Sequence, residues 1–209
     1  DWYYKSEQVI KVDVADGYTF DKWVDADEVK ISDEPSFKYT VENKKVTFYA
    51  KTKPVNYKIH FNANGGSGEM SDLDMTYGKT NKLRINAFTR AGYIFKEWNT
   101  KPDGTGKAYQ NEQEIKNLTK KNETTVLYAQ WNAIKYNIKF DANGGSGTID
   151  DMKDVSFGST TTLPANKFTA PGKNFVFLGW ALQSSAKSAD FTDGSSDILT
   201  SSASTHLSN

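Results

Sequence analysis

An internal repeat constrains this chain more than any other feature. The segment YKIHFNANGGSG at 57–68 returns as YNIKFDANGGSG at 136–147, 79 residues later. A second block, GYxFxxW, occurs at 17–23 and at 92–98, and it returns as NFVFLGW at 174–180. Because separate blocks recur in a fixed order, the sequence predicts an array of similar small units rather than one large domain.

A third block closes the repeat and sets its limits. It reads TTVLYAQW at 124–131 and is matched by KVTFYAK at 45–51. The blocks predict three repeats: a divergent first repeat at 1–53 that lacks its opening strand, a complete middle repeat at 57–131, and a third repeat at 136–209 that lacks its closing strand and has a Ser/Thr-rich end. We expect a segment of a longer array, whose two incomplete repeats leave strand edges that pair between molecules.

The local patterns predict a mainly β fold, borderline α+β. Tyr57, Ile59 and Phe61 alternate with polar residues, as in a half-buried strand. Asn64-Gly65 supplies the two positive-φ positions of a type I′ turn and predicts a hairpin. The return strand is expected to carry Met75 and Tyr77 in the middle repeat, and Val155 and Phe157 in the third. The segment NEQEIKNL at 111–118 is the best candidate for a helical turn.

The central block predicts an irregular strand. Tyr93 and Phe95 share a face, whereas Trp98 has the opposite parity. The strand must therefore end or bulge before the tryptophan.

Composition narrows the classes of function. The chain has no cysteine and only two histidines, His60 and His206, which excludes disulfide scaffolds, zinc–thiolate sites and multi-histidine metal sites. Lys and Arg number 26 and Asp and Glu also 26, whereas a nucleic-acid-binding domain is strongly basic. No stretch approaches the roughly 18 uninterrupted apolar residues of a membrane span. We expect no cofactor, no nucleic-acid partner and no transmembrane segment in this stretch.

The three blocks together resemble the Listeria–Bacteroides repeat, the internalin-type B-repeat of bacterial cell-surface proteins. The likeness rests on YxIxFxANGGSG at 57–68, GYxFxxWNT at 92–100 with the GTG that follows, and LYAQW at 127–131. The resemblance implies compact β-grasp-like units, strung like beads in an extracellular, cell-surface or secreted protein. It also implies a spacer or adhesive array without catalysis, and the family has no agreed catalytic residues to transfer.

A glycine-rich segment does not fit a phosphate-binding loop. The residues GTGK at 104–107 would need glycine at position 101 and Ser or Thr at position 108, where the chain has Lys101 and Ala108. This segment is therefore not expected to bind the phosphates of a nucleotide.

Acidic segments give no defined metal site. Asp141 begins a segment like a calcium loop, but Ser146 and Met152 stand where that loop needs glycine and glutamate. Two further acidic groups are surface clusters that could hold only a weak ion: Asp25, Asp27 and Glu28, and Asp193 with Asp197.

The recurring Trp23, Trp98 and Trp180 carry the main alternative function. In a carbohydrate-binding module, exposed tryptophans and tyrosines would stack on sugar rings. A small domain needs its largest rings inside, so the stronger expectation is that all three are core residues.

The sequence therefore predicts a non-catalytic extracellular repeat segment that acts as a spacer, a stalk or a protein-binding adhesin module. Its expected partners are neighbouring repeats and a protein or glycan on a host or neighbouring cell surface. An enzyme is not expected, because potential catalytic groups are not kept between repeats: Glu97 aligns with Gly179, and His60 with Lys139. A lysine–asparagine isopeptide cross-link stays open and would appear as the loss of one ammonia in the mass.

Overall fold

The computed structural model describes residues 5–42 and 44–198, and the side chains of Asp197 and Ile198 are outside that description. The described residues form strands, turns and irregular segments and contain no helix, so the chain is mainly β. The strands are β1 (Glu7–Lys11), β2 (Tyr18–Val24), β3 (Lys30–Ser32), β4 (Ser36–Thr40), β5 (Tyr49–Pro54), β6 (Asn56–Asn62), β7 (Leu73–Thr76), β8 (Asn81–Lys82), β9 (Tyr93–Asn99), β10 (Ala108–Tyr109), β11 (Glu114–Ile115), β12 (Thr124–Ala133), β13 (Lys135–Ile138), β14 (Met152–Ser156), β15 (Thr160–Thr162) and β16 (Ser196–Ile198).

The chain forms two compact units whose limits differ from those of the sequence repeats. The first unit comprises the described part of Asp1–Asn62 together with Met70–Asn86 and Trp98–Tyr128. The second comprises Ala63–Glu69, Ala87–Glu97 and the described part of Ala129–Asn209. The middle repeat contributes to both units. The connection from the first to the middle repeat lies inside the first unit, and the connection to the third repeat lies inside the second.

The first repeat forms a β1–β4 pair and a three-stranded sheet of order β3-β2-β5. As the parity of the central block predicts, β2 bulges before its tryptophan: Phe20 faces Thr52 and Lys22 faces Lys51, which leaves Asp21 without a partner in the ladder. Aromatic edge-to-face contacts build the core, because the Trp23 ring lies 5.7 Å from Phe37, which lies 5.4 Å from Phe48.

The middle repeat forms a five-stranded sheet of order β10-β9-β12-β6-β7. Its opening strand β6 pairs with β7 on one side and with the closing strand β12, in parallel, on the other. The alternating apolar residues of β6 face the core as predicted, with Ile59 fully buried and Phe61 2% exposed. The Phe61 ring lies 4.8 Å from the Trp98 ring, so the opening strand and the central block share one aromatic core.

The third repeat has a similar aromatic core, but fewer of its residues lie in strands than in the middle repeat. The strand β13 pairs with β14, and β15 pairs with β16. Phe140 lies 4.9 Å from Trp180, the same ring pair as in the middle repeat. Ile138, Leu163 and Trp180 are buried in this core, and Phe140 is partly buried against it.

The helical turn predicted at 111–118 is wrong. Within this segment Ile115 lies in β11 opposite Asn81 of β8 and is 4% exposed. Glu112 and Asn117 both have positive φ values, 56° and 55°, which a right-handed helix does not allow. The spacing of two apolar residues carried too little information to distinguish a helix from a short strand.

The Asn-Gly turns have the predicted backbone, and β6 pairs with the predicted return strand, in which Met75 lies opposite Tyr57, but the strands are not joined by a two-residue hairpin loop. Asn64 and Gly65 have φ values of 47° and 85°. The chain does not return along β6 directly, because Ser67 forms a bridge with Thr89 and the return strand begins only at Leu73. The turn is fixed instead against the closing block, where the Trp131 Nε1 donates to the Ala63 carbonyl over 2.9 Å.

Candidate functional site

The connection between the first and middle repeats is a bonded junction rather than a free linker. Val55 lies between the two repeats and is 5% exposed. Its amide donates to the carbonyl of Gly17 in the first repeat over 2.9 Å. Its carbonyl accepts from the amide of Tyr77 in the middle repeat over 2.8 Å. One residue of the connection thus bonds to a turn of each repeat, and this restricts their relative motion.

Two aromatic rings and two glycines complete this first junction. The rings of Tyr18 and Tyr77 meet edge to face, with centroids 5.6 Å apart. Gly17 has a φ of 82° and lies directly under the Tyr77 ring, so a Cβ at this position would overlap the ring. Gly78, with a φ of 82°, faces the Tyr18 hydroxyl. Glycine is required at position 17 for its backbone conformation and for the close approach of the ring.

The connection between the middle and third repeats has the same construction. The Ile134 amide donates to the Gly92 carbonyl over 3.0 Å, and the Ile134 carbonyl accepts from the Phe157 amide over 2.9 Å. The Tyr93 and Phe157 rings meet edge to face, with centroids 5.7 Å apart. Gly92 has a φ of 77°, and a Cβ there would overlap the Phe157 ring. Each junction therefore contains a Gly-Tyr pair from the preceding repeat and one aliphatic residue of the connection. The following repeat contributes an aromatic residue with a glycine directly after it.

Sequence reasoning missed these junctions, although a signal was present. Tyr77-Gly78 and Phe157-Gly158 recur 80 residues apart, just after the return strands. Tyr77 and Phe157 read as extensions of those strands, and only the fold shows that they pack on the preceding repeat. The Gly-Tyr pair was recognised as a repeated block, but its glycine had no assigned role.

Each junction also has its own charged contact. In the first, Lys120 Nζ bonds to Asp16 Oδ2 over 2.6 Å. The hydrogen bond and the charge of Lys120 lower the pKa of Asp16, and Asp16 in turn raises the pKa of Lys120. In the second, the Arg90 guanidinium lies over the Tyr93 ring, 4.1 Å from its centroid. Asp16 and Lys120 are both exposed, so their ion pair contributes little to stability.

The three recurring tryptophans are core residues. Trp23, Trp98 and Trp180 are 6%, 0% and 9% exposed. Sugar stacking requires an accessible ring face, which these positions do not offer. The Trp180 Nε1 is also occupied, because it donates to the Pro164 carbonyl over 3.2 Å. The expectation that these rings fill small cores accounts for their recurrence.

The remaining candidate residues serve local structure. His60 is on the exposed face of β6, and its Nδ1 is 2.8 Å from Asp72 Oδ1. Asp25 Oδ1 accepts from the amides of Asp27 and Val29, and Asp141 Oδ1 accepts from the amide of Asn143. These carboxylates cap turns of their own backbone.

Metal-binding groups do not converge in residues 5–42 and 44–198, where no three His, Cys, Asp or Glu side chains form a cluster suited to a metal ion. Asp193 accepts from the amide of Asn166 over 2.7 Å. The Asp197 side chain and His206 lie outside the described residues.

The glycine-rich segment after Trp98 is folded by a buried asparagine. Asn99 is 1% exposed, and its Nδ2 donates to the carbonyls of Gly104 and Gly106 over 3.1 and 3.3 Å. Its Oδ1 accepts from the Lys101 amide over 3.0 Å. The GTG residues therefore form a tight loop around one side chain, and this explains their presence without a phosphate ligand.

None of the residues that the structure describes forms a helix that could span a membrane.

Comparison with known proteins places these repeats in a family. A family description named the Listeria-Bacteroides repeat domain matches residues 3–51, 57–130 and 136–205. Two curated proteins of Evansella cellulosilytica are similar to the chain. A "Putative Gly-rich membrane protein" is 28% identical over 137 residues, which cover 64% of this chain and 15% of that protein. A "Putative membrane protein" is 28% identical over 142 residues, which cover 65% of this chain and 18% of that protein.

The matched region thus spans less than a fifth of either relative. No solved structure matches the chain.

Proposed function

Because the chain belongs to the Listeria-Bacteroides repeat family, we propose that it is a non-catalytic segment of a bacterial surface protein that acts as an extracellular stalk. The similar proteins of Evansella cellulosilytica carry membrane-protein names, which supports a location at the cell surface. The absence of cysteine fits a stalk whose stability comes from packing alone. The earlier expectation of a protein or glycan partner on another cell stays a prediction.

The proposal of a stalk rests on one observation: both junctions have the same pattern of backbone hydrogen bonds. A stalk must keep its two ends apart, which requires limited bending between repeats. A connection of a few residues with no contacts would behave as a flexible chain. Here Val55 and Ile134 each bond to both neighbouring repeats, and a ring of one repeat covers a glycine of the other. The junctions therefore supply the stiffness.

The test is the width of distance distributions measured across each junction by electron spin resonance. The cysteine-free chain accepts paired spin labels at introduced cysteines without interference. Lys38→Cys with Lys82→Cys spans the first junction, and Lys96→Cys with Lys153→Cys spans the second; all four side chains are exposed. We expect narrow distributions in both cases.

Tyr77→Ala should broaden the distribution across the first junction, because it removes the ring that covers Gly17. Tyr49→Ala is the matched control, since Tyr49 is 47% exposed in β5 and loses a similar ring away from the junction contacts. Broad distributions in the unaltered chain, or equal broadening by both variants, would contradict the stalk proposal.

A further inference from the structure

The chain enters and leaves the middle repeat through two neighbouring strands of one sheet. A single residue, Val55, separates β5 of the first repeat from β6, and a single residue, Ile134, separates β12 from β13 of the third repeat. β6 and β12 are adjacent in the five-stranded sheet. A pull on the two neighbouring repeats therefore reaches the middle repeat, through the backbone, at the beginning of β6 and at the end of β12.

The two strands run in the same direction, so such a pull acts along them. Their parallel register comprises five residue pairs, from Thr124 opposite Lys58 to Tyr128 opposite Asn62. Just before this register, the Lys58 amide donates to the Glu123 carbonyl over 3.1 Å. Tension draws β6 toward its first residue and β12 toward its last residue. Because the bonds of the ladder cross from one strand to the other, they bear this load together.

Side-chain hydrogen bonds extend this connection past the end of β6. The Asn64 Nδ2 donates to the Ala129 carbonyl over 2.9 Å. The Trp131 Nε1 donates to the Ala63 carbonyl, also over 2.9 Å. A Cβ at Gly66 would overlap the Trp131 ring, so the ring lies close against the turn. The turn that follows β6 is therefore fastened to the closing strand by two side chains.

Buried side chains oppose sliding of the two strands. Ile59 of β6 and Leu127 of β12 are fully buried, and Phe61, which lies opposite Leu127, is 2% exposed. A slip of one residue would turn the apolar side chains of a strand to the other face of the sheet. The register of β6 against β12 is therefore held by the core as well as by the hydrogen bonds.

We propose that the middle repeat withstands tension along the array, and that the pairing of β6 with β12 is the element that resists it. The inference rests on the proposed stalk function, because a stalk is pulled at its two ends. Bonds that share a load must break together, whereas bonds that are loaded from one end break in turn. The strand order of the middle repeat thus lets the array keep its length under load.

The experiment applies a constant force to the full chain through DNA handles at two introduced cysteines. Asn56→Cys with Asn132→Cys loads β6 at its beginning and β12 at its end, so the strands are pulled along their length. Asn56→Cys with Asn122→Cys loads both strands at the same end, so their pairs open one after another. The three positions are exposed, and the chain has no cysteine of its own. At the same force, we expect unfolding to be about a hundredfold slower in the lengthwise geometry, because several hydrogen bonds must break at once.

Asn64→Gly tests one bond of this connection in both geometries. Glycine keeps the positive φ of the turn but removes the amide that donates to Ala129. Lengthwise unfolding should become about fivefold faster, as expected for the loss of one hydrogen bond. Unfolding from the end near Asn122 should keep its rate, because the lost bond lies at the far end. Asn143→Gly is the matched control: it makes the same change in the equivalent turn of the third repeat, where Asn143 Nδ2 donates to Ser184, and should alter neither rate.

Equal unfolding rates in the two geometries would overturn the proposal. An effect of Asn64→Gly that is the same size in both geometries would also overturn it, because the bond would then stabilise the fold without resisting the pull. The distances across the junctions test the stalk separately. Narrow distributions with equal unfolding rates would reject the resistance to tension and leave the stalk in place. Broad distributions with slow lengthwise unfolding would contradict the stalk and confirm the resistance of the strand pair.

Discussion

The Tyr77 ring covers the α-carbon of Gly17 so closely that any larger residue at position 17 would overlap it. The same relationship joins Phe157 to Gly92, where a phenyl ring replaces the phenol. The ring differs between the junctions while the glycine is the same, so the contact depends on ring shape and not on the hydroxyl. A junction of this type can therefore vary its sequence at the ring but not at the glycine.

The glycines should be sensitive to the smallest substitution. Gly17→Ala places a side chain at a positive φ and against the Tyr77 ring. We expect the free energy of unfolding to fall by about 2–4 kcal/mol, from backbone strain and from displacement of the ring. Urea denaturation measures this loss. The distance distribution across the first junction should broaden at the same time.

Gly144→Ala separates the two causes. Gly144 has a φ of 90° but nothing within 4 Å of an added Cβ. This variant should lose only the backbone contribution, about 1 kcal/mol, and should leave both junction distributions narrow. If Gly17→Ala behaved like Gly144→Ala in both measurements, the close contact with Tyr77 would have no structural role.

Acid should weaken the first junction through Asp16. Lys120 lowers the pKa of Asp16, so the pair stabilises the folded chain above the ordinary pKa of an aspartate and this contribution is lost as the pH falls through the lowered pKa. Lys120→Gln should move the pKa of Asp16 back toward its ordinary value, as measured by NMR titration of the carboxyl carbon. Both groups are exposed, so the effect on stability is small.

Lys58→Gln is the control for this titration. It removes the Lys58–Asp74 ion pair of 2.8 Å, which lies within the middle repeat and does not involve Asp16. The titration of Asp16 should be the same in this variant as in the unaltered chain. An Asp16 that titrates at its ordinary pKa in the unaltered chain would show that the Lys120 contact does not persist in solution.

The sequence predicts those features of the fold that depend on residues close together in the chain. The alternation of Tyr57, Ile59 and Phe61 specifies one buried face and was sufficient to identify β6. The parity of the central block was sufficient to predict that its strand ends or bulges before the tryptophan, and in β2 the bulge is at Asp21. Both are patterns within a few residues, for which side-chain period alone decides which face is buried.

Features that depend on distant partners were not predictable in the same way. The Asn64 turn has the predicted φ, but its Nδ2 donates to the Ala129 carbonyl, 65 residues away, and this holds the turn against the closing strand. The role of Gly17 likewise depends on Tyr77 in the next repeat. Repetition showed that these residues recur, and only the fold shows what they contact.

Asn99 is predicted to hold the glycine-rich loop together. Asn99→Ala leaves the carbonyls of Gly104 and Gly106 and the amide of Lys101 without their side-chain partner. We expect the free energy of unfolding to fall by about 2 kcal/mol, because buried polar groups lose their hydrogen bonds. Thermal denaturation measures the change. Asn132→Ala is a control at an exposed asparagine in β12, and its effect should be within about 0.5 kcal/mol.

Iodide quenching of tryptophan fluorescence tests the burial of the recurring indoles. The experiment uses Trp2→Phe with Trp131→Phe, which leaves only Trp23, Trp98 and Trp180 as emitters. Because these residues are 6%, 0% and 9% exposed, iodide should quench them far less than it does after denaturation in urea. A panel of soluble polysaccharides should leave the emission unchanged. Strong quenching by iodide that one polysaccharide prevents would instead identify these tryptophans as a sugar-binding surface and would contradict their place in the core.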